Sequence, residues 1–450
     1  MKIEFEGNRM PVSAFYGPHP QFQFDDTNVA RDHIKEEIYQ KIGESGIWLI
    51  TYSENSYTED KKEQEIVRRQ LALAEKNGLA MCVRDTRLLP DACPKKEELE
   101  QKRRAYGDYE SFAGWTIMDE PGSDDYACEI AKTRHLKNFA PLSRKINTDT
   151  DFVAYLNLLP FFSHLGSKEG YQRYLEEYCT RFQPKMLSFD YYPFDGGGDV
   201  SNCHQYFINL ALIRQAAKEH GIPFWTFIQA GKNWNDAKKM MEKTVNDRPT
   251  RAEFLWNVNI ALAFGTKGIQ YFPLIQPEWF AFEKGGGRDY ERNGIFGADG
   301  KPTIWYQYVK AANRQIASVQ EVLMHSKSKG LVMCGDLAKE VVGGSGVPVL
   351  ESYEMLKSVT SDSSYGAVIG CFERENDIVL YVVNYDVEQS QMVTLNLHQE
   401  YDVNLMSADV SESRKVSMLP VRLGPGEAVL VLIESQNGNT CKSEEYCVNE

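Results

Sequence analysis

Eight short apolar runs recur along the first two thirds of this chain at nearly constant spacing, and that recurrence limits the fold more than any other feature. They are Val12–Tyr16, Ile47–Tyr52, Leu79–Val83, Trp115–Met118, Phe152–Leu156, Met186–Phe189, Phe224–Ile228 and Ile269–Phe272, with starts 32 to 45 residues apart. Apolar residues follow one another without polar alternation, which is the pattern of strands covered on both faces in a parallel sheet. Stretches of amphipathic helical period lie between most of them: Gln64–Lys76, Tyr171–Phe182, Tyr206–His220 and Glu253–Phe264. Each stops near a Gly or Pro, as helix C-termini do. Eight strand–helix units over about 320 residues predict an α/β fold, a (β/α)8 TIM barrel with enlarged loops. An open doubly wound sheet is the alternative, but it commonly carries a Gly-rich phosphate turn after its first strand. Here the first run leads into Gly17-Pro18-His19-Pro20.

The texture changes after the predicted long helix Ile304–Leu323. Alternating runs follow at Tyr365–Phe372, Ile378–Asn384, Met392–Leu397, Val416–Leu419 and Ala428–Ile433, separated by turn signals such as Asn376-Asp377 and Gly424-Pro425-Gly426. These predict a smaller C-terminal all-β domain, an antiparallel sandwich. The expected division is a barrel over residues 1–325, the sandwich over 326–436 and a polar tail over 437–450.

Charge narrows the partners. With 64 acidic against 50 basic residues the net charge is −14 and the pI near 5.2. Affinity for nucleic acid rests on clustered Lys and Arg, so no nucleic-acid partner is expected. No apolar run approaches the ~20 residues that span a bilayer, and Met1–Glu6 has no signal-like apolar core, so no membrane partner is expected. Nine cysteines without a C-x-x-C pair fit free thiols in a reducing compartment; Cys441 and Cys447 are the one pair close enough in sequence for a local disulfide. The expectation is a cytoplasmic chain, or an exported one whose leader has been removed. No metal or organic cofactor is implied, and nothing in the sequence fixes an oligomeric state.

In a barrel the chemistry sits at the C-terminal ends of the strands. Reading onward from each run gives Tyr16 and His19; Tyr52-Ser53-Glu54-Asn55; Arg84-Asp85; Asp119-Glu120-Pro121; Asn157; Asp190-Tyr191-Tyr192-Pro193; Gln229; and, around the last strand, Tyr271, Glu278 and Trp279. Carboxylates and amides that bind hydroxyls, beside rings that stack on sugar faces, are what a carbohydrate cleft requires. Phosphate-binding signals are weak. Gly285-Gly286-Gly287-Arg288 comes nearest, without a helix start close behind it. A lyase or isomerase acting on an acidic sugar needs a basic site, for which Arg84 and Arg288 are the only hints, and Arg84 with Asp85 reads sooner as a structural ion pair below the site than as a substrate contact.

The sharpest segment is Gly114-Trp115-Thr116-Ile117-Met118-Asp119-Glu120-Pro121. A carboxyl at a strand terminus, desolvated by rings, gains the raised pKa of a general acid. Pro121 is expected to hold Glu120 extended and aimed into the cleft. The plain alternative is that both acids cap the next helix.

These segments resemble the clan A glycoside hydrolases, in flavour the family 42 β-galactosidases and their uncharacterised bacterial relatives. There an acid/base Glu follows strand 4 in Asn-Glu-Pro or similar, and a nucleophilic Glu ends strand 7. The resemblance implies a glycosidase with Glu120 as acid/base, and Asp119 stands where the family has Asn. Pro223–Gln229 resembles the nucleophile strand, yet its carboxylate position holds Gln229. Ala261-Leu262-Ala263-x-Gly265-x-x-Gly268-Ile269-x-Tyr271-Phe272 resembles the approach to strand 8, and Gly300-Lys301-Pro302-Thr303 fits the barrel's end. An amide cannot attack an anomeric carbon. The second carboxylate is therefore Asp190, or Glu278 from the loop after strand 8, or Asp119; otherwise the site binds sugar without cleaving it. Glu120 and Asp190 are taken as the catalytic pair for an O-glycosidic substrate. Tyr16, His19, Asp119, Asn157, Tyr191, Gln229, Trp234, Tyr271, Glu278 and Trp279 are taken to line that substrate.

Overall fold

The computed structural model describes residues 3–5, 7–20, 32–89, 93–122, 135–161, 167–194, 198–231, 249–277 and 293–435. Eight parallel strands alternate with helices through the first 324 residues: β1 Val12–Ala14, α1 Glu36–Glu44, β2 Leu49–Ile50, α2 Lys61–Lys76, β3 Ala80–Val83, α3 Lys96–Arg104, β4 Phe112–Asp119, α4 Leu136–Asp149, β5 Val153–Asn157, α5 Lys168–Phe182, β6 Leu187–Phe189, α6 His204–His220, β7 Phe224–Gln229, α7 Arg251–Phe264, β8 Gly268–Phe272 and α8 Ile304–Met324. Each strand except β5 pairs with the next in parallel and β8 pairs with β1. The ring closes between β5 and β6, where the Leu158 N–H donates to the Ser188 carbonyl at 2.8 Å. The expected (β/α)8 barrel is the observed one.

Side chains fill the barrel in layers, as strand alternation dictates. At the bottom the Trp225 ring stacks on Phe5, centroids 5.9 Å apart. Above it Phe15 meets Phe227 at 5.5 Å and Tyr155 at 6.4 Å, and the Tyr155 hydroxyl reaches Gln270 across the interior. Close approach of β4 to β5 requires a glycine: a Cβ on Gly114 would lie 2.2 Å from the Val153 carbonyl oxygen.

β9 Lys327–Cys334, α9 Asp336–Gly343 and strands β10 Leu356–Ser361, β11 Ala367–Arg374, β12 Asp377–Asn384, β13 Gln391–Met406, β14 Ser411–Leu423 and β15 Ala428–Ile433 form the second, antiparallel domain. Its long strand β13 pairs with β10 through Val393–Leu397 and with β15 through Val403–Met406, so one strand passes between two layers and encloses a core of its own. The other face of the sheet continues the barrel's core through Val379, Tyr381 and Leu430.

That docking corrects the expected amphipathic character of Glu253–Phe264. Every residue from Glu253 to Phe264 in α7 is buried, because the barrel covers one side and β11 and β12 the other. A Cβ on Gly370 of β11 would sit 2.4 Å from the Ala263 carbonyl oxygen. The contact is latched by Tyr381, whose hydroxyl donates to Asn259 Oδ1 at 2.7 Å, while Asn259 Nδ2 donates to the Gly426 carbonyl at 2.8 Å. Lys267, half-buried on the turn before β8, donates to the carbonyls of Leu323, Met324 and Ser326 and ends α8 where the chain enters β9. Among the described residues no helix is long and apolar enough to cross a membrane.

Candidate active site at the strand ends

The top layer of the barrel gathers acids from the two strand ends that flank β5 around one amide. Asp119 ends β4, Asn157 ends β5 in register with it, and Asp190 follows β6. Asn157 Nδ2 donates to Asp119 Oδ1 at 3.2 Å and to Asp190 Oδ1 at 2.9 Å, which keeps the two carboxylates within the sum of those distances. The Glu120 side chain is in turn hydrogen-bonded to Asp190. Two carboxyls in such contact share a proton, since like charges at that range cannot both ionise. Burial, then the negative charge of Asp119, pushes the Asp190 carboxyl up to about 7, against the opposing pull of the Asn157 amide, its own backbone and Glu120.

Glu120 corrects the expectation of an extended residue. It has φ 49°, in the left-handed region, and its N–H donates to the Asn157 carbonyl at 2.9 Å. Pro121 removes the right-handed option, and the hydrogen bond to β5 turns the chain at Glu120 instead of letting it continue as a strand. The Pro121 carbonyl is held by the Tyr174 hydroxyl of α5 at 2.7 Å.

Rings surround the acids. Tyr52, at the end of β2, lies flat on Phe15 at 4.3 Å, with the Arg84 guanidinium 5.0 Å from its ring centroid. Arg84 Nη1 donates to the Tyr52 hydroxyl at 3.0 Å and pairs with Glu54 at 3.8 Å. Burial raises the Tyr52 hydroxyl well above the usual phenol range, with the charge of Asp119 adding to the shift. Phe272 touches Phe15 at 6.1 Å and Tyr192 at 6.0 Å. Tyr192, partly buried, is held far above the usual phenol range by burial and then by the charges of Asp190, Glu120 and Asp119.

Other expected site residues are placed as follows. Tyr16, with φ 71°, is buried between His19, edge-on at 4.7 Å, and Tyr52 at 6.1 Å. His19 is buried beside His33, and burial first, then His33, lowers its pKa to about 3, so it is a neutral ring at neutral pH. Gln229 sits on the same inward row as Phe227. It is 1% exposed, its Nε2 donates to the Gly231 carbonyl at 3.2 Å, and its Oε1 has no hydrogen-bond partner among the described residues. Tyr191 packs on Tyr206 of α6 at 5.6 Å, leaving Tyr192 as the ring next to the acids. Tyr271 is not brought to the cleft. Gln270 points into the barrel, so its neighbour must point out, and Tyr271 is buried against Phe254 of α7 at 5.8 Å with its hydroxyl on Asn313 of α8 at 2.7 Å. Trp234, Glu278, Trp279, Arg288 and Cys441–Cys447 lie outside the described residues.

Arg84 and Asp85 do not pair. Asp85 takes both Arg87 Nη2 at 2.6 Å and Arg87 Nε at 2.9 Å, and also the Tyr106 hydroxyl at 2.5 Å. Tyr52, Tyr192 and Phe272 were not among the residues expected to bind substrate. The inward phase of β8, readable from Gln270, is the signal that finds Phe272. Among the described residues no three His, Cys, Asp or Glu side chains are arranged as metal ligands.

No protein-family model matches the chain, and no curated protein is similar to it in sequence. Solved structures are similar in fold. Eubacterium rectale Amy13B matches with a TM-score of 0.48 at 10% identity, over 95% of this chain and 96% of its own. AbfB, a family 51 α-L-arabinofuranosidase from Bifidobacterium longum, matches with a TM-score of 0.43 at 12% identity, over 95% and 96%. The GH99 endo-α-mannosidase from Bacteroides thetaiotaomicron matches with a TM-score of 0.40 at 15% identity, over 67% and 95%. The second is named as an arabinofuranosidase and the third as an endo-mannosidase, and at these identities and TM-scores the likeness decides no activity for this chain. The finer resemblance to family 42 is not supported by them.

Proposed function

We infer that the barrel hydrolyses an O-glycosidic bond at the ends of β4–β6, with Glu120 and Asp190 as the acid/base pair. The observation that carries this reading is the grouping of Asp119, Glu120 and Asp190 on one amide, with a protonated carboxyl available near neutral pH, inside a ring of Tyr52, Tyr192 and Phe272. The proton shared by Glu120 and Asp190 goes to the leaving sugar oxygen as the glycosidic bond breaks, and a water molecule forms the new bond to the anomeric carbon and returns a proton to the carboxyl pair. Asp119 supplies negative charge near the developing oxocarbenium ion. A sugar entering between Glu120 and Asp190 must part them to roughly 5–5.5 Å for retention or 6.5–9.5 Å for inversion. Arg84 is held by Glu54 and the Tyr52 hydroxyl and not by the acids, which favours a neutral sugar over an acidic one.

Turnover of a panel of aryl glycosides by the wild type, Glu120→Gln and Asp190→Asn tests the assignment. A loss of at least about 100-fold in both variants is expected; equal turnover in all three overturns it. A second reading, a carbohydrate-binding barrel without hydrolysis, is favoured by Gln229 in the strand 7 position and by the direct contact of Glu120 with Asp190. Calorimetric binding of an oligosaccharide that is never cleaved over days identifies that case.

A further inference from the structure

Below the acids lies a chain of hydrogen bonds that the hydrolytic reading does not use. The Tyr155 hydroxyl donates to Gln270 Oε1 at 2.8 Å, Gln270 Nε2 donates to Ser188 Oγ at 2.6 Å, and Ser188 Oγ donates to Asn157 Oδ1 at 3.0 Å. Tyr155, Ser188, Gln270 and Asn157 are at most 2% exposed, so water does not compete for these bonds. Each link passes its donor in the same sense, from β5 to β8 to β6 and back to β5. With Oδ1 engaged from below, the amide of Asn157 has its NH2 directed at Asp119 and Asp190, whose carboxylates only accept. A reversed amide would set its carbonyl oxygen against two acids and its NH2 against Ser188.

We propose that Asn157 is a positioning residue, one that holds the Asp119 and Asp190 carboxyls at a fixed separation and keeps Asp190 able to ionise, and that the Tyr155–Gln270–Ser188 relay sets the orientation of its amide. This rests on the reading of the strand ends as an acid/base centre, and it replaces the expectation that Asn157 contacts substrate. The relay lies in the packed interior, where hydrogen-bonded chains polarise one another and hold one geometry. Among the described residues the titratable groups facing Asp190 are Asp119 and Glu120 from the end of β4, Tyr192 beyond β6 and Tyr171 from α5. None of them is a cation, so the Asn157 amide is a principal support of the ionised form.

The test is a carboxyl 13C titration of the full chain labelled at aspartate, with the Asp190 signal assigned by its loss in Asp190→Asn. The midpoint in the wild type is expected near 7. In Asn157→Ala it rises by about one pH unit, the worth of a hydrogen bond to a charged group. Ser188→Ala and Tyr155→Phe, which remove one oxygen each from the relay, move it the same way by a smaller step. If Asn157→Ala does not fold, Ser188→Ala decides, because it deletes only the hydroxyl beneath the amide. A midpoint unmoved or lowered in the folded variants overturns the inference, even where their melting temperatures fall, since looser packing admits water and lowers the Asp190 midpoint. The titration needs no turnover, so a wild type that cleaves no glycoside removes the hydrolytic reading and leaves this measurement standing.

Discussion

The backbone N–H of Glu120 donates to the carbonyl of Asn157 at 2.9 Å from a left-handed backbone, φ 49°. A non-glycine residue in that region costs of order 1–3 kcal/mol, and such strain persists where the surroundings over-determine it. Here the hydrogen bond to β5 and the Tyr174 hydroxyl on the Pro121 carbonyl supply that constraint. The carboxyl of Glu120 is thereby turned onto Asp190 instead of following the line of β4.

Glu120→Gly should therefore separate stability from activity. Glycine adopts the left-handed backbone without penalty, so the variant is expected to unfold with a free energy up to about 1 kcal/mol higher than the wild type. Its turnover of aryl glycosides should fall by at least about 100-fold, as for Glu120→Gln. Equilibrium denaturation and initial rates on the same preparation read both effects, and a clear loss of stability in Glu120→Gly contradicts the strain argument.

Asp190 makes stability depend on pH in a stated direction. Its folded pKa is raised to about 7 from 3.8, so between those values the folded state binds more protons than the unfolded one. Stability then falls as pH rises through that window, because the unfolded chain ionises first. Asp190→Asn removes the penalty. It should be more stable than the wild type at pH 8, by roughly 2 kcal/mol after allowance for the group's partial exposure, and the gain should vanish near pH 4. Urea unfolding at the two pH values measures this. The same proton also sets the alkaline limb of kcat/KM, with an expected midpoint near 7 in the wild type.

Much of the barrel could be read from the sequence because its strands are buried on both faces, which leaves uninterrupted apolar runs such as Ala80–Val83 and Phe224–Gln229. Helix α4 was not recognisable because Pro141 stands inside it, and β9 and β10 were missed. The acids at the strand ends were legible from position alone. Cross-strand facts were not: nothing local to Asn157 says that its amide bridges residues 38 positions before it and 33 after it. The exchange of Tyr271 for Phe272 is a matter of phase, since one residue's slip along a strand reverses every side chain.

Tyr52 offers a test of the ring platform. It stacks on Phe15, braced by Arg84, and stands in the field of Asp119. Stacking of a sugar on such a ring binds substrate and transition state alike, so Tyr52→Ala should raise KM about 5- to 20-fold with kcat changed little. Tyr52→Phe, which keeps the ring and drops the hydroxyl that Arg84 holds, should stay within about threefold of the wild type. A fall in kcat alone points instead to a role for the hydroxyl in the chemistry.

Gln229→Glu asks whether the strand 7 position can accept the carboxylate that the family resemblance leads one to expect there. Gln229 is 1% exposed and its Oε1 has no hydrogen-bond partner among the described residues, so an ionised group introduced there would be buried without a counter-charge. Burial disfavours the charged form, and the new carboxyl is expected to titrate well above the usual carboxylate range. The variant should be about as stable as the wild type at pH 4, where the group is neutral. It should lose about 1–3 kcal/mol by pH 8, where the unfolded chain ionises freely and the folded one does not. Glycoside turnover should not rise. A Gln229→Glu protein that gains hydrolysis at least tenfold without losing stability at pH 8 would instead make strand 7 the seat of a nucleophile absent from the natural sequence, and would favour the binding-only reading of the wild type.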